Sequence, residues 1–483
     1  MLFNSIQYAV FLPIVVLLFW LSPNRFRVPI LLGASYLFYM SWRPAYILLI
    51  VGLTTGNYFL GQAIANSSNW KKGFLAIGVT ANLCCLGFFK YAGFFDETVA
   101  ALLKPLGIVV HKIPFDIILP LGISFFVFEF IHYLTDIYRG SQPVKSFLGF
   151  ALFASFFPTQ IAGPIKRYQD FVPQFLKEPK FSRDEFDNGV ALILTGLFKK
   201  VLIADNLSYF VQGGFAHPAL FTGPDLWIFT WAFAFQIYFD FSGYTDVARG
   251  SAAMFGYKVP VNFNLPYLSK SIAEFWHRWH ISLSTWLRDY LYISLGGSRC
   301  SRWKNYRNLF LTMLLGGLWH GAALHFLLWG AFHGAMLVAH REFERLTSGI
   351  TFVTAFFESK IGQVVSMLIT FQVVCLGWVL FRAENIASCL TILSKMFFLE
   401  YAQKGVSLFS LTLPSINYPL IYPSIYLLLP LLFVAHIVMG ILNQQNFYAR
   451  CPKYLKVGYC FALLFIVMVF SPDKSPRFIY FQF

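Results

Sequence analysis

The sequence predicts an all-α, polytopic integral membrane protein with about ten to twelve transmembrane helices and re-entrant or interfacial helices among them. Three observations predict it. Of 483 residues, 57% are hydrophobic and only 12% charged, whereas roughly a quarter are charged in a soluble domain. Several runs carry no charge over lengths approaching the about 20 residues a helix needs to cross a hydrocarbon core. Ile361 to Phe381 is the cleanest, and Leu226 to Phe239, Ile425 to Leu442 and Val457 to Phe470 are others. These runs are continuous instead of alternating every second residue, which marks helices and not a barrel.

From the start of the chain, the first apolar run has no basic residues before it and no small-residue cleavage pattern before Ser22-Pro23-Asn24-Arg25. It reads as a retained span and not a cleaved signal. Arg25 and Arg27, then Lys71 and Lys72, follow apolar stretches; if both clusters are cytoplasmic, the first span begins outside. Further on, Ser182-Arg-Asp-Glu185 is a capping box opening a helix that runs through Lys199 and Lys200. Paired lysines so deep in an apolar helix predict an interfacial placement or a wet cavity, with the ammonium groups snorkelling. Lys270 to Arg299 reads as one interfacial or re-entrant helix, with Glu274–Arg278 and Ser284–Arg288 as i, i+4 pairs and Trp276, Trp279 and Trp286 as headgroup-level rings. No composition shift divides the chain, so residues 1–483 read as a single membrane domain.

The formal charge of +15 sits in short clusters between apolar runs, which is membrane topology and not nucleic-acid binding. Seven cysteines form no CxxC pair and suggest neither a disulfide framework nor a zinc site.

Chemistry is sought where an ionisable side chain lies at membrane depth, because that is costly. The segment GLWHGAALHFLLWGAFHG carries His320, His325 and His333. His320 lies roughly 20 Å along a helix from Arg307, and Gly316, Gly317 and Gly321 beside it permit a break or a close backbone approach. Asn308 to His340 suits neither one perpendicular span nor two, so a tilted, broken or re-entrant path with His320 near the bend is expected. His320 is then either a satisfied interior residue or a catalytic one; His325 and His333 read as helix-packing or tunnel-wall residues. His277 and His280 form an HxxH that could face a metal from one helix, but no second histidine cluster accompanies it. His132 and Asp136 form an HxxxD, which reads as an interior histidine one turn from a carboxylate. Asp240 and Asp246 either orient a histidine or line a polar tunnel, or serve as helix caps and local hydrogen-bonding groups. No GxSxG, P-loop or GxGxxG is present.

Taken together, LPLGISFFVFEFIHYLTDIYRG from Leu119, FFPTQIAGPIKRY from Phe156, GLFKKVLIADNL from Gly196 and QIYFDFSGYTDVARG from Gln236 resemble the membrane-bound O-acyltransferases. So do NFNLPYLSKSIAEFWHRWHISLSTWLRDYLYISLGG from Asn262, GGLWHGA from Gly316 and FIYFQF from Phe478. The likeness is to the bacterial branch that O-acetylates exopolysaccharides such as alginate, and it covers nearly the whole chain. Position 277 departs from it, with His where relatives usually carry Arg or Asn, and FEFIHYL replaces a more usual FxAxxYL. The resemblance implies that His320 is the catalytic histidine, that His280 is the second implicated one, and that helices form a ring around a tunnel.

Acyl transfer needs a hydroxyl made nucleophilic, and a neutral imidazole can take its proton. The expectation is His320 as general base and His280 as electrostatic or proton-relay partner, with Trp319 and Trp279 shaping a dry tunnel. Lys270, Arg278 and Arg288 are expected to attract the phosphates of a donor such as acetyl-CoA; no permanently bound cofactor or metal is expected. The resemblance further implies a bacterial inner-membrane location, passage of the acetyl group across the membrane, and a periplasmic partner acetyltransferase that modifies the polysaccharide acceptor. Two alternatives stand: D-alanyl transfer from an acyl carrier protein to teichoic acid, and a non-enzymatic transporter or flippase.

Overall fold

The computed structural model describes residues 1–106, 118–398, 421–442, 450–471 and 478–479, and every regular element among them is helical. The chain divides into two compact units, Met1–Gly196 with Tyr244–Val261, and Leu197–Gly243 with Asn262–Phe483.

The first unit contains α1 (Ile6–Leu21), α2 (Asn24–Met40), α3 (Tyr46–Asn66), α4 (Lys71–Leu103), α5 (Ile123–Tyr138), α6 (Phe147–Ser155), α7 (Tyr168–Leu176) and α8 (Arg183–Leu197). Ser5 opens α1, its hydroxyl accepting from the Tyr8 N–H, and Ser146 opens α6 in the same way. Ser182 accepts the Glu185 N–H at 3.4 Å, as the capping box requires. Between α3 and α4, Asn57 and Asn82 exchange amide hydrogen bonds of 3.2 and 2.7 Å. Gly61 leaves room for the Tyr133 ring against α3. A buried ion pair lies under α5, where Lys166 Nζ donates to Glu129 Oε1 at 2.8 Å and to Thr159 Oγ1 at 2.7 Å.

The second unit holds α9 (Asp205–Ala216), α11 (Ile272–Arg278), α12 (Ile281–Trp286), α13 (Arg302–His320), α14 (Leu324–Thr347), α15 (Thr351–Glu358), α16 (Lys360–Arg382), α17 (Ile386–Phe398), α18 (Ile421–Leu442) and α19 (Lys453–Phe470). α10 (Gly223–Met254) begins here and ends in the first unit. The core is largely aromatic, with Phe233, Phe235, Trp279, Trp329, Trp378 and Phe381 all buried.

α13 and α14 form an antiparallel hairpin. Gly317 faces the Phe326 carbonyl and Gly330 faces that of Met313, where a Cβ would collide, and Gly334 lies on Phe310. Glycine is needed here because backbone meets backbone. At the open end Tyr306 donates to Glu342, which also lies 3.7 Å from Arg302. At the closed end α13 stops at His320, and the chain turns through extended Gly321 into α14. The expected break near His320 is therefore present.

Three expectations require correction. By length and composition, five helices among the described residues can cross a membrane, α3, α4, α16, α18 and α19, not ten to twelve. α1, α2 and α17 are too short to count, with 16, 17 and 13 residues, while α10, α13 and α14 are long but carry Asp240, Asp246 and basic clusters. The Lys199–Lys200 helix is not uniform either: α8 gives way to a π-helical turn at Phe198–Ala204, and Lys200 is buried instead of snorkelling. Finally, Lys270 to Arg299 is not one helix. It breaks at Trp279–His280 into α11 and α12 and continues as a π-helical turn, Leu287–Tyr292. Glu274–Arg278 pairs at 2.7 Å as expected, but Arg288 pairs with Asp289, and the Ser284 hydroxyl donates to the Trp279 carbonyl.

Candidate active site

The site is built around the closed end of the α13–α14 hairpin. His320 is buried, with ring centroids 4.9 Å from Trp319, 5.0 Å from Trp329 and 5.3 Å from Phe381. Trp329 comes from α14 and Phe381 from α16, so three helices converge on one imidazole. His333, one turn beyond Trp329, is fully buried between Trp329 at 4.9 Å and Trp276 at 5.1 Å. His325 is only half-buried, against Phe326.

His280 reaches the same unit by another route. It sits at φ +42°, ψ +54°, left-handed backbone that costs an L-residue of order 1–3 kcal/mol. Its Nδ1 accepts the Leu283 N–H at 3.4 Å and so caps α12. Capping returns about 0.5–2 kcal/mol, no more than the strain, so packing must complete the balance. The Phe241 ring stands edge-on at 4.7 Å, and His280 is 1% exposed. A nitrogen accepting from a backbone N–H has no proton of its own, so in the neutral ring the proton lies on Nε2. That atom is buried without a hydrogen-bond partner among the described residues.

Among the described residues no hydrogen bond or ring contact links His280 directly to His320. An aromatic series lies between them: Phe241 to Phe263 at 5.1 Å, Phe263 to Trp279 at 5.0 Å, Trp279 to Trp378 at 4.9 Å and Trp378 to Phe381 at 5.7 Å. Trp279 and Trp319 are both buried in this region.

The three cations expected at a phosphate site have different surroundings. Arg278 is half-buried, with Nη2 2.7 Å from Glu274 Oε1 and Nη1 donating to the Asn264 carbonyl. Lys270 is exposed and donates from Nζ to Gln363 at 2.9 Å, while its backbone N–H caps the same Glu274. Arg288 is exposed beside Asp289. Glu274 thus accepts from the Lys270 backbone N–H and the Arg278 guanidinium, while the Lys270 ammonium is turned to Gln363.

The remaining candidates lie against local partners. His277 is exposed and bonded to the Ala273 carbonyl of its own helix, whereas His280 lies beyond the end of α11 on left-handed backbone, so the HxxH is not on one helix. Asp136 accepts from Gln169 at 2.6 Å, and His132 stacks on Tyr168. Asp246 lies 3.6 Å from Arg249. Asp240 differs: together with Asp205 it holds Lys200, at 2.7 Å in each case. That buried cluster was not legible as a unit, since Asp205 and Asp240 are 35 positions apart and no spacing rule joins Lys200 to Asp240.

An all-helical membrane protein with imidazoles caged in aromatic rings suits group-transfer chemistry held away from water. The chain belongs to the membrane-bound O-acyltransferase family, whose model matches residues 64–380. It is therefore an O-acyltransferase, and a multi-pass protein of the cytoplasmic membrane. It is 43% identical to the probable alginate O-acetylase AlgI of Pseudomonas aeruginosa over 82% of this chain and 75% of that one. The peptidoglycan O-acetyltransferase of Helicobacter pylori is 37% identical over 84% and 81%. The teichoic acid D-alanyltransferase of Bacillus subtilis is 30% identical over 57% and 71%.

Proposed function

We propose that this chain moves an acetyl group from a cytoplasmic thioester donor, acetyl-CoA, across the membrane for O-acetylation of an exopolysaccharide such as alginate. The observation that carries the reading is His320: a buried imidazole at the end of a helix, at the tip of a glycine-packed hairpin, walled by Trp319, Trp329 and Phe381. His320 takes the proton of the acceptor hydroxyl as its oxygen attacks the thioester carbonyl carbon. The new C–O bond forms, the C–S bond breaks, and the proton passes from His320 to the departing thiolate. Base catalysis of this kind is worth about 10²- to 10⁴-fold.

His280 acts as a hydrogen-bond donor and not as a second base, because capping α12 through Nδ1 leaves Nε2–H as its free edge. Such a donor suits the oxyanion that develops on the carbonyl. Helices surround a tunnel between the membrane faces, with Trp279 and Trp319 in its wall. Lys270 and Arg288, the more exposed cations, meet the donor's phosphates, while Arg278, already paired with Glu274, orders the approach. A single membrane domain, residues 1–483, works with a periplasmic partner acetyltransferase that receives the acetyl group and passes it to the polysaccharide. The AlgI likeness at 43% identity supports this acceptor class.

The likeness to the D-alanyltransferase favours one other reading, D-alanyl transfer from an acyl carrier protein to teichoic acid. The test supplies purified protein in lipid with labelled acetyl-CoA or labelled D-alanyl carrier protein, an acceptor glycan and the partner. Label should leave acetyl-CoA in wild type and not in His320→Ala. Full activity in His320→Ala would sink the assignment, and loss confined to His280→Ala would move the base there.

A further inference from the structure

We infer that the buried Lys200–Asp205–Asp240 cluster is a positioning device: it fastens the Phe478–Ile479 segment against Phe241 and, through that ring, fixes His280. The two oxygens of Asp240 have separate tasks. Oδ1 lies 2.7 Å from Lys200 Nζ, and Oδ2 accepts the Ile479 backbone N–H at 2.8 Å. Asp205 Oδ1 is also 2.7 Å from Nζ, so two carboxylates face the Lys200 ammonium. A backbone N–H is a suitable partner for the second oxygen of Asp240, because a hydrogen bond to a charged acceptor is roughly twice as strong as one between neutral groups.

The cluster is linked to the site by adjacency. Phe241 follows Asp240 in the chain, and its ring lies 5.8 Å from Phe478 and 4.7 Å from His280. Phe241 is 0% exposed, and Phe478 and Ile479 are each 3%. The π-helical turn at Phe198–Ala204 sets Lys200 apart from the regular helices on either side, as such turns often do at functional positions.

The activity arm rests on the reading of His280 as a site residue; the fastening arm does not. Hydrogen exchange of the full chain in lipid reads the Ile479 amide directly, beside transfer from labelled acetyl-CoA and thermal melting. In Asp240→Ala that amide exchanges about tenfold faster or more, as expected for loss of a charge-assisted hydrogen bond. Asp240→Asn, whose amide oxygen still accepts, recovers much of the protection. Turnover falls about tenfold in Asp240→Ala and in Phe241→Leu with the KM for acetyl-CoA little changed. Because a buried charge left without its partner can prevent folding, the triple variant Lys200→Met/Asp205→Asn/Asp240→Ala repeats the test with all three charges removed. Unchanged exchange at Ile479 in a folded Asp240→Ala overturns the fastening. Faster exchange with undiminished turnover overturns the positioning role, provided His280→Ala is inactive in the same assay. Should His280→Ala retain full turnover, the His280 reading fails and the positioning role falls with it, while the exchange rate at Ile479 still decides the fastening by itself.

Discussion

At the scale of single residues, His280 and His320 have different origins. The glycines on both sides of His320 and its distance from any basic cluster announce a break, which α13 shows by ending there, while its role stays open between interior packing and catalysis. His280 could not be read this way. It lies in a run, AEFWHRWHISLSTWL, that looks uniformly helical, and nothing in the residue types announces a left-handed turn. Packing of Phe241 and the Leu283 cap fix it there. Asparagine tolerates left-handed backbone and can cap a helix, so His280→Asn should melt close to wild type and above His280→Ala. Both should lose at least about tenfold in transfer if the Nε2–H is the working donor. Thermal melting and turnover together separate the two roles, and a fully active His280→Asn would show that the ring is dispensable.

At the scale of elements, the α13–α14 hairpin decides where His320 stands. Gly330 meets the Met313 carbonyl, so Gly330→Ala drives a methyl group into backbone 2.5 Å away. Overpacking of this sort costs typically about 1–3 kcal/mol and should lower the melting temperature and displace His320 with it. Gly33 in α2 has nothing within 4 Å of a built Cβ. Gly33→Ala should therefore stabilise, by up to about 1 kcal/mol, which makes it the internal control. If both variants melt alike, close packing does not set the hairpin. Long charge-free helices such as α16 and α18 were legible because their apolar runs are unbroken. Leu226 to Phe239 reads as a span because it carries no charge, but α10 continues through Asp240 and Asp246, and Phe233 and Phe235 face protein.

At the scale of the whole molecule, the sequence carried the helical class and the family, and what it lacked was pairing between distant positions. Lys200 with Asp240 and Arg302 with Glu342 depend on how helices return, which no local pattern encodes. The hairpin makes a topological prediction. Because Arg302 and Glu342 meet, cysteines placed at Ser301 and Ser348 in a cysteine-free background should react with a membrane-impermeant maleimide from the same face. Labelling from opposite faces would mean that the hairpin does not return. The reciprocal amides of Asn57 and Asn82 bear on how the protein is made. An asparagine alone in a hydrocarbon-facing helix resists insertion, and two that satisfy each other do not. α3 and α4 would thus leave the translocon as a pair, and replacing either asparagine with aspartate should appear first as failed biogenesis and early proteolysis, before any enzyme exists to assay.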